Sequence, residues 1–203
     1  MTLNYKLETK KAYDSYAETF DKKFSAYVPY IEKEQKVFME NLKGKKILDV
    51  GCGPGNHSLT FKANGLEPLC IDISEKMVEL CRAKGLDARV MDFENPALPA
   101  GQFDGLWIYT SLLHIPKEKF LPVLKHILQA LKHDGVFLLG MREGPSSERF
   151  VKNPKYGETL RYFADYTEEE LAKIMRDNFR ILYKSKTVMD AEHVYLNYLC
   201  KTE

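Results

Sequence analysis

At 203 residues, with 44% hydrophobic content and a formal net charge of +1, the chain holds enough apolar material for a buried core, and one domain over 1–203 is expected. The charge balance argues against a nucleic-acid footprint and against a polybasic membrane patch. No apolar run is long enough to span a bilayer, and Met1–Lys11 lacks an apolar signal core, so cytoplasmic residence is expected.

Residues 1–26 are polar with interleaved aromatics, and Tyr13, Tyr16 and Phe20 fall at helical spacing. A second helix is predicted over 30–43, with Ile31, Val37, Phe38 and Leu42 as core positions and Gly44 as its stop. Residues 1–43 thus form a helical cap, and 44–203 the core. Ile47-Leu48-Asp49-Val50 is a short buried strand. Gly51, Gly53 and Gly55 follow at every second position, with Cys52 and Pro54 between them. Glycine lets a backbone approach a ligand closely, and the helix beginning near Asn56 points its first N–H groups over the same spot. Dinucleotide sites use G-x-G-x-x-G and receive an anionic pyrophosphate. Here Asp49 precedes the glycines, which suits a ligand bearing a positive amine instead.

Pro68 to Asp72 is a second strand ending on an acid, and a carboxylate there suits the vicinal hydroxyls of a ribose. Ser74 caps the next helix, and Ala88–Met91 is a third strand followed by Asp92 and Phe93. Phe103–Tyr109 is a fourth strand, with His114 in its exit loop. A helix is predicted from there to about Lys132, with Pro122 in its first turn, and Val136–Met141 is a fifth strand. Residues 142–166 follow the fifth strand on the ligand edge and are expected to carry acceptor determinants, Arg142 and Tyr162 among them. Thr167 opens a helix through a capping box. Ile181–Val188 and His193–Leu199 then form an antiparallel hairpin. Strands alternating with helices predict an α/β fold with a mostly parallel sheet and helices on both faces.

The run Asp49, Gly51, Gly53, Gly55 resembles motif I of the class I S-adenosylmethionine (SAM) dependent methyltransferases, D/E-x-G-x-G-x-G. The resemblance covers roughly 13–200. It implies a Rossmann-like seven-stranded sheet whose last strand is antiparallel and inserted between the fifth and sixth. Ser111-Leu112-Leu113-His114 resembles the same segment in the small-molecule methyltransferases of ubiquinone and menaquinone biosynthesis. The resemblance implies SAM as cofactor, with S-adenosylhomocysteine as product, and a small-molecule acceptor. Asp49, Gly51, Cys52, Gly53 and Gly55 would hold its amino-acid end and Asp72 its ribose. Asp92, Phe93 and Ile73 would meet the adenine, and Tyr109, at the end of the fourth strand, would be a further cofactor-binding residue. Tyr13, Tyr16 and Phe20 would wall the acceptor.

His114, with an unperturbed pKa of about 6.5, is the candidate general base where the acceptor carries a proton. Cys52, Cys70, Cys81 and Cys200 are scattered without a C-x-x-C pair, so free thiols and no metal are expected. A monomer or homodimer without nucleic-acid or membrane partners fits this reading. A SAM-binding protein without catalysis, a protein or RNA methyltransferase, and a nicotinamide-dependent dehydrogenase are the alternatives.

Overall fold

The computed structural model describes residues 3–190 and 193–202. Helices α1 (Tyr5–Ser15) and α2 (Ala17–Ser25) come first, then a 3₁₀ turn over Val28–Ile31 and α3 (Glu32–Glu40). Asn4 caps α1 by accepting from the N–H groups of Lys6 and Leu7. The single aromatic face predicted through Tyr13, Tyr16 and Phe20 is broken, because Tyr16 leaves helical geometry at φ −128°, ψ 28°. The break turns α2 so that Phe20 stacks on Tyr156 at 4.4 Å while still touching Tyr13 at 4.7 Å. Tertiary packing overrides the local period here. The helix expected over 30–43 is also shorter, with Asn41 as its C-cap in place of Gly44.

The core then runs β1 (Lys46–Val50), α4 (Asn56–Ala63), β2 (Glu67–Asp72), α5 (Glu75–Ala83), β3 (Asp87–Val90), β4 (Phe103–Tyr109), α6 (Lys117–Ile127) and β5 (Leu131–Arg142). Pro122 lies inside α6 and not in its first turn, because the helix already begins at Lys117. Its missing N–H leaves a carbonyl of the preceding turn without its helical partner. The helix stops short of Lys132 because Leu131 already starts β5.

Residues 142–166, expected as an acceptor segment, form a separate hairpin of β6 (Ser147–Lys152) and β7 (Leu160–Asp165), pairing Phe150 with Tyr162. The chain ends in α7 (Glu168–Asn178), β8 (Arg180–Val188) and β9 (Val194–Lys201). Thr167 and Glu170 form the predicted capping box.

The main sheet has seven strands in the order β3-β2-β1-β4-β5-β9-β8. Strands β1 to β5 pair in parallel, and β9 runs antiparallel between β5 and β8. The expected topology, including the inserted last strand, is present. Alternate residues of β1 serve opposite faces. Leu48 and Val50 join the layer under α6 and α7, while Ile47 packs with Phe38, Phe61 and Trp107 under α3 and α4. Burial on both faces explains the continuous apolar runs of the strands. The order reverses at β1 and β4, so the loops leaving these two strands diverge and open a crevice at their C-terminal ends.

Gly55 fixes how the loop after β1 enters α4. Its φ is +79°, and an added Cβ would lie 2.5 Å from Leu86 Cδ1 and 2.8 Å from Cys81 Sγ. Gly55→Ala should therefore cost about 2 kcal/mol of stability in urea unfolding, from left-handed strain and overpacking together. A loss under about 0.5 kcal/mol would mean that the turn relaxes without it.

Candidate functional site

The crevice is a cavity walled by the C-terminal ends of β1 to β4 and roofed by α1. At its floor sits Asp49, 2% exposed. Its Oδ2 accepts from the Ser58 hydroxyl of α4 at 2.7 Å, and no other side-chain hydrogen bond reaches the carboxyl among the described residues. Burial, with Cys70 close by, pushes its pKa well above the usual carboxylate range. Such a group favours a cationic partner, which would restore its charge.

The glycine loop offers acceptors more than donors. The Gly51 and Cys52 N–H groups both donate to the Ile71 carbonyl at 2.8 and 3.0 Å. The Gly53 N–H donates to Asp72 Oδ2 at 2.9 Å, and the Gly55 N–H to the Cys52 carbonyl at 3.1 Å. An anionic pyrophosphate would find these N–H groups engaged, whereas an ammonium would find Asp49 and loop carbonyls. Gly53 faces open space: an added Cβ would meet nothing nearer than Phe24 at 3.8 Å. Asn56 and His57, in the first turn of α4, also line the cavity, where backbone N–H groups lack helical partners.

Asp72 closes β2. Its Oδ1 accepts from the Ser74 N–H at 2.8 Å, so each oxygen holds one backbone donor and keeps a lone pair. Burial raises its pKa to about 6. Ile73 and Phe93 flank the same end of the cavity. Asp92 accepts from the Glu94 N–H at 2.9 Å and from Lys6 Nζ. Lys6 also pairs with Glu94 at 2.9 Å, and the Tyr5 hydroxyl donates to Glu94, so α1 is clasped to the loop after β3.

His114 is held at both nitrogens. Its Nδ1 lies 2.6 Å from the Tyr162 carbonyl, which can only accept, so Nδ1 carries the proton. Nε2 then accepts from the Tyr13 hydroxyl at 2.7 Å. The ordinary pKa expected for His114 does not hold: burial, aided by Arg161 and Arg142, lowers it to about 3. His57 is likewise lowered by burial, to about 4, and its Nδ1 accepts from the Trp107 indole at 2.9 Å. Tyr109 lines the cavity next to Tyr195, 5.9 Å between ring centroids.

The fold brings together Asp49, Gly51, Cys52, Gly53, Asp72, Ile73, Asp92, Phe93, Tyr109, His114 and Tyr13 in one wall. It leaves Gly55, Tyr16, Phe20, Arg142 and Tyr162 outside it. Gly55 serves helix packing. Tyr16 sits at the helix break beside Tyr156. Arg142 pairs with Asp165 at 2.6 Å. Tyr162 supports α1 from behind, its N–H donating to Thr9 Oγ1 at 3.0 Å. No residue of 142–166 faces the cavity, so the hairpin seats the roof and does not form the wall. Sequence reasoning missed Tyr5 and Thr9, although Tyr5, Thr9 and Tyr13 repeat every fourth residue and so share one helix face. Tyr27, Met189 and Tyr195 also line the cavity, and nothing local in the sequence marks them.

Residues 47–135 match the family model described as a methyltransferase domain. The chain is 31% identical over 120 residues to the ubiquinone biosynthesis O-methyltransferase of Bordetella avium, an alignment covering 55% of this chain and 48% of that protein. It is 32% identical over 129 residues to the S-adenosyl-L-methionine-dependent Diels-Alderase iccD of Talaromyces variabilis, covering 58% and 43%. The chain thus spans about half the length of the curated relatives it matches. Among solved structures it resembles the Burkholderia thailandensis 1,6-didemethyltoxoflavin-N1-methyltransferase, which holds 1,6-didemethyltoxoflavin and S-adenosylhomocysteine. The TM-score is 0.78, at 20% identity, over 100% of this chain and 93% of that one.

The histidine geometry makes a spectroscopic prediction. Nitrogen-15 NMR should find His114 neutral, with the proton on Nδ1, throughout pH 5–8, since its pKa is about 3. Titration near pH 6.5 would refute the arrangement.

Proposed function

We propose that the chain is a class I SAM-dependent methyltransferase, as the match of residues 47–135 to a methyltransferase domain supports, and that it transfers the SAM methyl group to a small-molecule acceptor held under α1 and α2. The observation that carries the reading is Asp49, a buried carboxyl facing a cavity whose loop N–H groups are already engaged. The residues present fit SAM. Asp49 and the Gly51 carbonyl receive the ammonium, and the first turn of α4 receives the carboxylate. Asp72 accepts from the ribose hydroxyls through its remaining lone pairs. Ile73 and Phe93 pack on the adenine, and Asp92 accepts from its amine.

Bound SAM supplies a sulfonium methyl whose leaving group is a neutral thioether. The protein's part is then alignment and exclusion of water more than proton transfer. Tyr109, Tyr27, Tyr195 and Met189 wall the end of the cavity away from Asp72 and Asp92, which suits a flat or partly apolar acceptor. His114 acts as a positioning residue: it accepts from Tyr13 and so aims that hydroxyl. With a pKa of about 3, it takes no proton at neutral pH. An acceptor nucleophile must therefore arrive with its lone pair free or lose its proton to another group.

The neutral balance of charge supports a small acceptor over a nucleic acid. No helix of the described residues is long and apolar enough to cross a membrane. A cytoplasmic monomer or homodimer fits these features. The similarity to a SAM-dependent Diels-Alderase supports a second reading, in which bound SAM is not consumed. Labelled-methyl transfer to an acceptor pool separates the two.

Two calorimetric results are expected with S-adenosylhomocysteine. Asp72→Asn should weaken binding about ten- to a hundredfold, or about 1.5–3 kcal/mol, as the hydroxyls lose a charged acceptor. Asp72 is ionised above its pKa of about 6 and protonated below it. Affinity carried by this carboxylate is therefore present at pH 7–8 and falls, by up to about tenfold per pH unit, as pH drops through 6. Unchanged affinity in the variant, or a flat pH profile, would remove Asp72 from the ribose site.

A further inference from the structure

A second cluster of reactive side chains lies behind the glycine loop. Cys52 in the loop, Cys70 in β2 and Cys81 in α5 are distant in sequence, yet their three Sγ atoms all lie within 4.8 Å of one another. Cys52 and Cys81 lie 3.7 Å apart. All three are free thiols; Cys70 and Cys81 are fully buried and Cys52 is half-buried on the cavity wall. We propose that these thiols form a binding site for one soft divalent d10 cation of the zinc or cadmium class.

The geometry suits such an ion. At a zinc–sulfur distance of about 2.3 Å, tetrahedral coordination sets sulfurs about 3.8 Å apart and trigonal coordination about 4.0 Å. The Cys52–Cys81 pair already has this spacing, and Cys70 closes the triangle by moving less than about 1 Å. The Gly53 carbonyl lies 3.3 Å from Cys52 Sγ and 3.2 Å from Cys81 Sγ, placed to serve as a fourth donor. Val78, Leu86 and Ala88 pack with the cluster, Ser58 and the Asp49 and Asp72 carboxyls lie near its thiols, and thiolate ligands select soft cations over hard ones. Binding turns three thiols and M²⁺ into M(SR)₃⁻ and three protons released to water. The negative charge that remains lies beside the N-terminus of α4, where a Cβ on Gly55 would be 2.8 Å from Cys81 Sγ. The absence of a C-x-x-C pair does not weaken the site, because a parallel sheet and its crossover helix replace sequence spacing. The ion would tie the glycine loop to β2 and α5.

The test uses the reduced full chain without SAM or its analogues, so its outcome is separate from that of the methyltransferase reading. Cadmium is titrated while the ultraviolet sulfur-to-metal charge-transfer band and native mass are followed. One cadmium per chain is expected, with about three protons released. Cys200→Ala, whose thiol lies elsewhere in the core, should retain the band, whereas Cys70→Ala and Cys81→Ala should each weaken cadmium at least tenfold. Circular dichroism confirms that each variant is folded. Absence of the band in the wild-type chain, or its full survival in folded Cys70→Ala, would overturn the site.

Discussion

The buried carboxyl of Asp49 is the constraint on which the rest of the site depends. A carboxyl in that position costs free energy unless something offsets its charge. The Ser58 hydroxyl offsets part of it by a single hydrogen bond from α4. This bond sets where α4 starts relative to β1, and Gly55 provides the left-handed turn that lets the helix start there. Asp72 works alongside it, tying the middle of the loop to β2 through the Gly53 N–H. The loop is thus held from both sides, and what remains available to a ligand is acceptor character. That is why the cavity suits an amine-bearing nucleoside better than a dinucleotide.

The roof obeys a different logic. Helix α1 is not packed on the sheet by a large apolar stripe. It is held at one end by Lys6 and Tyr5 on Asp92 and Glu94, and at the other by Tyr13 on His114. From behind, β7 offers a backbone donor to Thr9. These bonds are polar; those of Lys6 and Tyr5 are partly exposed, while that of Tyr13 to His114 is more deeply buried. The low pKa of His114 follows from the same seating, since the histidine is sealed between Tyr13, Phe163 and the Tyr162 carbonyl.

The core of this fold was legible because its signals are local and obligatory. Glycines at 51, 53 and 55, acids ending the strands at 72 and 92, and the Ser74 and Thr167 caps each express a backbone need that few other residues meet. The antiparallel insertion of β9 came from family resemblance and not from residue pattern. What failed were features decided by distant partners. The break at Tyr16 reflects stacking of Phe20 on Tyr156, far along the chain. The segment 142–166 read as an acceptor wall because it leaves β5 on the ligand edge, yet pairing of β6 with β7 turns it into a support. Tyr27, Met189 and Tyr195 meet at the cavity only through the tertiary fold. The position of His114 after β4 is visible in the sequence, but its protonation depends on burial that no spacing encodes.

A crystal structure of the chain grown with S-adenosylhomocysteine would show directly which groups hold the ligand. The ammonium should lie on Asp49 and the Gly51 carbonyl, the ribose hydroxyls on Asp72, and the adenine against Ile73 and Phe93. A ligand bound with its ribose away from Asp72, or an empty cavity at saturating ligand, would contradict it.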